Sequence, residues 1–314
     1  MEYRDAHDLV EPKPAHPLFH ILKTLTDGTD VPHDGAGIRC AGKTRRKGYR
    51  VVSSWGNTVV HVGLDGRTDV LQDPGASSNS VQYVAEQFGY LFVFRDYSSP
   101  SVYQDGKLVK QFDHTYENFT CRGINTTPVA IYYTQASTKE IIKIDKKLTE
   151  TVVPGTEGTS DFVVLKDERL FWITKSFKAS CGDKFKELVP HFKRTKKDSG
   201  NMLMACLSNG NVLASFEGEE VIIISPELEI IDSVANPYEK SGSYHMRIAR
   251  SIREGLDIAF LHVSMAIIGV AVRRNKIYLM KIVSIGHAIY SMSQLLDCWA
   301  ICGESSFTIC KLNL

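Results

Sequence analysis

The chain has 314 residues, long enough for one large all-β domain or two ordinary domains, and 43% of them are hydrophobic against 23% charged. That balance supplies ample core material and excludes a disordered chain. With 37 basic and 36 acidic residues the net charge is +1, so no global basic excess marks a dedicated nucleic-acid binder.

Residues 1–17, MEYRDAHDLVEPKPAHP, are polar and rich in proline. They lack the basic start and apolar stretch of a secretory signal, and read as a tail that orders on a partner. A first strand, LFHILKTL, follows at residues 18–25. It has no neighbour of its own kind before the next turn signals at Pro32 and Gly35.

Hairpins then recur along the chain. VVHVGLDGRTDVLQD holds two alternating runs joined at Asp65-Gly66, and SVYQDGKLVKQFD repeats the arrangement at Asp105-Gly106. Asp-Gly between alternating apolar runs is a strong hairpin signal, because a type I′ turn needs positive φ at both central residues. Further joints are expected at Asp145-Lys146, Asp183-Lys184 and Pro226-Glu227, so successive joints are spaced by 40, 40, 38 and 43 residues. Two more strands fit in each gap, for example NSVQYVAEQF and GYLFVFRDY after the first. No long stretch carries a 3.6-residue apolar period, which argues against α/β folds.

Four strands about every 40 residues is the content of one β-propeller blade. The divisions fall at residues 36–74, 76–113, 117–155, 159–190, 199–236, 244–283 and 286–314. The short fourth division and the irregular sixth leave six or eight open. The last division, with IYSMSQLLD, CWAICGES and FTICKLNL, is one strand short. The orphan strand at residues 18–25 is expected to complete it, which would remove exposed sheet edges. The expectation is therefore an all-β, seven-bladed propeller forming a single domain over residues 18–314.

This period and closing strand resemble WD40-like seven-bladed propellers. The family's Trp-Asp pair is missing, since Trp55, Trp172 and Trp299 precede Gly56, Ile173 and Ala300, and its Gly-His pair does not recur from blade to blade, standing once at Gly286-His287. The resemblance therefore implies architecture and carries over no binding residues.

A rival signal is Gly37-Ile-Arg-Cys-Ala-Gly42-Lys43-Thr44, which fits the phosphate-loop pattern at every fixed position. A phosphate loop needs a strand before it and a helix after it; here Pro32 and Gly35 precede it and the β-rich RRKGYRVVSSW follows. The alternative reading, a nucleotide-binding enzyme using Lys43 and Thr44, stands against a turn between two strands. Basic clusters at Lys43, Arg45, Arg46 and Lys47, and at Lys193, Arg194, Lys196 and Lys197, are the candidate partner contacts. A third group comprises Arg247, Arg250, Arg253, Arg273 and Arg274. The bland reading of all three is solvated loops; the sharper one is contact with an acidic protein or with RNA.

The seven cysteines are odd in number and share no spacing, so they read as small buried apolar residues and not as disulfides or metal ligands. The ten histidines show no metal spacing, and no nucleophile-elbow or zincin motif occurs. The apolar run Ile258–Val272 is too short for a membrane helix and contains His262, so two adjacent core strands are expected there. The sequence thus points to a non-catalytic protein–protein interaction scaffold in a multiprotein assembly. It would have no cofactor, no metal and no membrane contact, and a cytoplasmic or nuclear location.

Overall fold

The computed structural model describes residues 19–26, 38–43, 51–55, 58–63, 67–71, 81–95, 98–113, 121–135, 138–174, 176–188, 202–216, 220–235, 243–253, 255–263, 266–284, 289–295, 298–303 and 306–312. The tail expected at residues 1–17 lies outside them. Among the described residues no helix is long and apolar enough to cross a membrane.

The chain opens with β1 (Phe19–Thr26). A first sheet follows from β2 (Ile38–Lys43), β3 (Val51–Trp55), β4 (Thr58–Val62) and β5 (Thr68–Leu71). The second has β6 (Val81–Gln87), β7 (Tyr90–Arg95), β8 (Ser101–Gln104) and β9 (Lys107–Gln111). The third has β10 (Cys121–Thr126), β11 (Ala130–Gln135), β12 (Ile141–Asp145) and β13 (Glu150–Val152). The fourth is β14 (Thr159–Val164), β15 (Leu170–Thr174), β16 (Lys178–Cys181) and β17 (Lys184–Glu187). The fifth is β18 (Met202–Cys206), β19 (Val212–Phe216), β20 (Glu220–Ile224) and β21 (Ile230–Ala235). The sixth is β22 (Ser243–Arg253), β23 (Leu256–Val263), β24 (Ala266–Arg273) and β25 (Lys276–Ser284). The last combines β26 (Ile289–Leu295), β27 (Cys298–Gly303) and β28 (Ser306–Leu312) with β1, in the order β1-β28-β27-β26.

All pairings are antiparallel. β1 runs against β28 with Phe19 opposite Leu312 and Thr26 opposite Ser306. The first strands of the sheets are neighbours in succession: β2 with β6, β6 with β10, β10 with β14, β14 with β18, β18 with β22, β22 with β26, and β26 with β2. The run Ile258–Val272 is divided between β23 and β24, as its length requires.

The core lies between sheets. Phe92, Phe94 and Val102 of the second pack on Ile131, Tyr133 and Ile142 of the third, with the Phe94 and Tyr133 rings edge to face at 5.1 Å. Phe162, Phe171 and Trp172 of the fourth bridge Tyr132 of the third to Met204 and Ile222 of the fifth. Leu213, Val221 and Ile223 of the fifth meet Leu261, Val270 and Ile277 of the sixth. Both faces of a middle strand are therefore covered. That is why β11 (AIYYTQ) and β20 (EVIII) are buried at every position and carry near-continuous apolar runs instead of alternation. The outer strands β9 (KLVKQ) and β17 (KFKE) are largely exposed and rich in Lys.

Turn chemistry sets each sheet's register. Asp105-Gly106 is a two-residue turn with φ 48° and 76°, as expected of Asp-Gly. Arg274-Asn275, at 49° and 60°, gives the sixth sheet a turn of the same type. The joint expected at Asp183-Lys184 sits one residue earlier: Lys184 already pairs with Cys181, so Gly182-Asp183 makes the turn, with positive φ at Gly182 alone. The joints expected at Asp145-Lys146 and Pro226-Glu227 are three-residue loops instead. In each, the residue before the loop exchanges backbone hydrogen bonds with the loop's last residue and the one beyond, as in Leu148 N to Asp145 O and Asp145 N to Thr149 O. The same loop recurs at Leu165–Arg169 and Leu207–Asn211. Its last residue takes the left-handed conformation, with φ 59° at Leu148, 65° at Glu168, 88° at Gly210 and 67° at Leu228.

Residues Ile38–Lys43 form neither the phosphate loop nor the turn expected of them. Ile38–Lys43 is β2, with Gly42 opposite Val52 and Lys43 opposite Val51. A paired strand holds these residues in line, whereas a phosphate loop needs them curled so that several backbone N–H groups converge.

Candidate partner-binding surface

In each sheet the hairpins joining strands one to two and three to four emerge at the same end. Side chains there tie one sheet to the next. Gln87 Nε2 donates to Thr127 O at 2.6 Å, Asn125 Nδ2 to Phe162 O at 3.2 Å, and Lys166 Nζ to Ser208 O at 2.6 Å. Asp161 accepts the Met204 N–H at 2.8 Å. Asp257 accepts both the N–H and the hydroxyl of Ser208, at 2.9 and 2.8 Å. Asp232 accepts the Ile277 N–H at 2.9 Å and pairs with Lys276 at 3.3 Å. The partners stand 37 to 49 residues apart in the chain, so the hairpin period reappears as the spacing of inter-sheet bonds. Gln87, Asn125, Asp161, Asp232 and Asp257 thus commit polar atoms to this stapling.

Between the second and third sheets these ends enclose an open cleft of about 440 Å³, lined by Gln87, Phe88, Tyr90, Pro128 and Lys146. Phe88-Gly89 is the two-residue turn between β6 and β7, with φ 57° and 83°. Asn or Gly suits the first of these positions; a phenyl side chain there costs on the order of 1 kcal/mol in backbone strain. The ring is set at the cleft by that turn, and the Lys146 ammonium lies 5.9 Å from its centroid. Tyr90 is steadied by Phe92, edge to face at 6.5 Å. In the Lys146 hairpin, Asp145 Oδ1 accepts the N–H groups of Lys147 and Thr149, both at 2.8 Å. Those bonds, the Thr149 N–H foremost, hold the Asp145 carboxyl below its ordinary pKa.

Of the residues expected to contact partners, Lys43 ends β2. Arg45, Arg46 and Lys47, between β2 and β3, and Lys193, Arg194, Lys196 and Lys197, between β17 and β18, lie outside the described residues. In the third basic group the register aligns Arg253, Leu256, Arg273 and Lys276 across one end of the sixth sheet, next to the Arg274-Asn275 turn. Cys181 and Cys206 are free thiols whose pKa burial pushes up, so neither carries thiolate character. Sequence reasoning passed over Phe88, Pro128 and Lys146. Phe-Gly at a hairpin, where Asn-Gly would be strain-free, was the available signal.

Solved structures share this fold. Virginiamycin B lyase from Staphylococcus aureus superposes with a TM-score of 0.72 at 13% identity, covering 94% of this chain and all of that one. A chain of the mitotic checkpoint complex gives 0.68 at 10% identity, covering 97% of this chain and 96% of that one. YCF48 bound to D1 peptide gives 0.66 at 9% identity, covering 96% and 99%. No family model matches the chain, and no curated protein matches its sequence. The architecture is that of a β-propeller, all-β and built of four-stranded antiparallel sheets.

Proposed function

We propose that residues 18–314 form a single seven-bladed propeller domain, closed by β1 joining β28, that acts as a non-catalytic protein-interaction scaffold within a multiprotein assembly in the cytoplasm or nucleus. Closure is supported by the cyclic succession of first strands and by the β1–β28 register. The observation that carries the functional reading is the division of labour among side chains. Buried Asp232 and Asp257 staple sheets together, while apolar groups are left outside, Phe185 of β17 at 82% exposure between Lys184 and Lys186 above all. Large exposed apolar side chains on a rigid scaffold mark contact surfaces. Among similar structures, one is a chain of a checkpoint complex and one is bound to a peptide, which fits this reading; one is a lyase, so fold alone does not decide. Native mass measurement of the chain isolated from its source is expected to give a complex; a lone monomer refutes the scaffold.

A second reading, RNA contact, rests on the exposed Arg273 and Arg274 beside the Arg253 register position, and on the cluster Lys43, Arg45, Arg46 and Lys47. It predicts RNA binding at physiological salt that weakens when Arg45, Arg46 and Lys47 are replaced by alanine. Absent or salt-insensitive binding removes it.

A further inference from the structure

We propose that the cleft between the second and third sheets is a docking site for a short acidic peptide segment, taking one carboxylate at Lys146 and an adjacent apolar side chain against Phe88, Tyr90 and Pro128. The proposal rests on the scaffold reading and gives it a place and a partner chemistry.

The walls are fixed in advance. Gln87 bonds Thr127 O across the inner side, and Lys110 of β9 donates to Leu148 O in the Lys146 hairpin across the outer side. Asp145 braces that hairpin from within. A cleft held open on both sides needs little ordering when a ligand enters, and affinity is gained by that preorganisation. Its volume suits one or two side chains, not a helix face.

The chemistry of the lining is mixed in one particular way. Phe88, Tyr90 and Pro128 present apolar surface. The cation is Lys146, which is exposed; the described residues give it the Phe88 ring and no carboxylate. Glu86 is engaged with His61, and Glu150 with the Tyr133 hydroxyl. An incoming carboxylate would therefore meet an ammonium that no carboxylate of the described residues pairs, beside a ring that keeps water from one side. A nucleobase fits less well, because the ammonium already occupies a face of the Phe88 ring, where stacking would need open surface. The left-handed backbone at Phe88 holds a ring that packs on the core and also borders the cleft.

The test uses the full chain and a panel of short fluorescent peptides, each with Glu or Asp beside Leu, Phe or Pro. Matched peptides carry Gln or Asn instead, and a single-stranded RNA oligonucleotide is included. Acidic peptides are expected to bind, the amide versions roughly tenfold more weakly, and Lys146→Glu and Phe88→Gly each to weaken acidic-peptide binding by roughly tenfold. Phe88→Gly suits the left-handed turn, and the relief of backbone strain offsets part of the packing the ring gives up against the core. Equal binding of amide peptides, no peptide binding, unchanged binding by both variants, or binding of the RNA alone overturns the proposal. Native masses of the same variants separate the two readings. A complex kept by both variants removes the cleft and leaves the scaffold, whereas a wild-type monomer removes the scaffold.

Discussion

Replacing Glu220 with glutamine isolates one buried carboxyl and lets its energy be read against pH. Glu220 begins β20 and is 2% exposed. The Ser233 hydroxyl donates to Oε1, and Oε2 is buried without a hydrogen-bond partner. Burial penalises the ionised form and raises the pKa from 4.5 to about 7, against the smaller opposing effect of Ser233. Below pH 4.5 the group is protonated in folded and unfolded chains alike and costs nothing. Between 4.5 and about 7 the unfolded chain ionises while the folded one stays neutral, so stability falls as pH rises and levels off above 7. That interval corresponds to on the order of 3 kcal/mol lost at pH 8, and about 1 kcal/mol lost at pH 5. Glu220→Gln is neutral throughout and keeps the shape of the protonated acid. Urea denaturation of both proteins at pH 5 and pH 8 should show the variant more stable, by on the order of 3 kcal/mol at pH 8 and by about 1 kcal/mol at pH 5. A difference that does not change with pH, or a variant less stable at pH 8, refutes the reasoning.

Other outcomes follow from the staples and turns. Asp257→Ala removes the acceptor of the two hydrogen bonds that Ser208 donates between the fifth and sixth sheets and should destabilise by about 2 kcal/mol in chemical denaturation, with Asp257→Asn costing less. Gly210→Ala, at φ 88° with no atom within 4 Å of the new methyl, should cost about 1 kcal/mol through backbone strain alone. Glu168→Gly, at φ 65° on an exposed loop of the same kind, should recover a similar amount, so thermal melting of the pair should shift in opposite directions.

The strand content was legible because both devices that specify it are local. Asp105-Gly106 announces its turn through the positive φ that both positions need, and runs such as AIYYTQ and VIIIS announce strands covered on two faces. Leu148, Glu168 and Leu228 were not legible as turn residues. Each takes a left-handed conformation that its side chain disfavours and that the surrounding bonds impose. For that reason two joints were read as two-residue turns. The phosphate-loop match misled because a pattern of residue types does not record whether the backbone is paired; β3 opposite Gly42 and Lys43 decides it. The Lys146 cleft joins hairpins about 40 and 60 residues apart, and no window along the chain brings Phe88, Pro128 and Lys146 together.

The meeting of the two chain ends in one sheet is tested most directly by stepwise N-terminal deletion followed by thermal melting. Removing residues 1–17 should leave the melting temperature unchanged. Removing residues 1–26 takes β1 from β28, exposes that strand's edge, and should abolish the cooperative transition or lower it sharply. A chain lacking residues 1–26 that melts as cooperatively, and at the same temperature, as the intact protein would contradict the proposed closure.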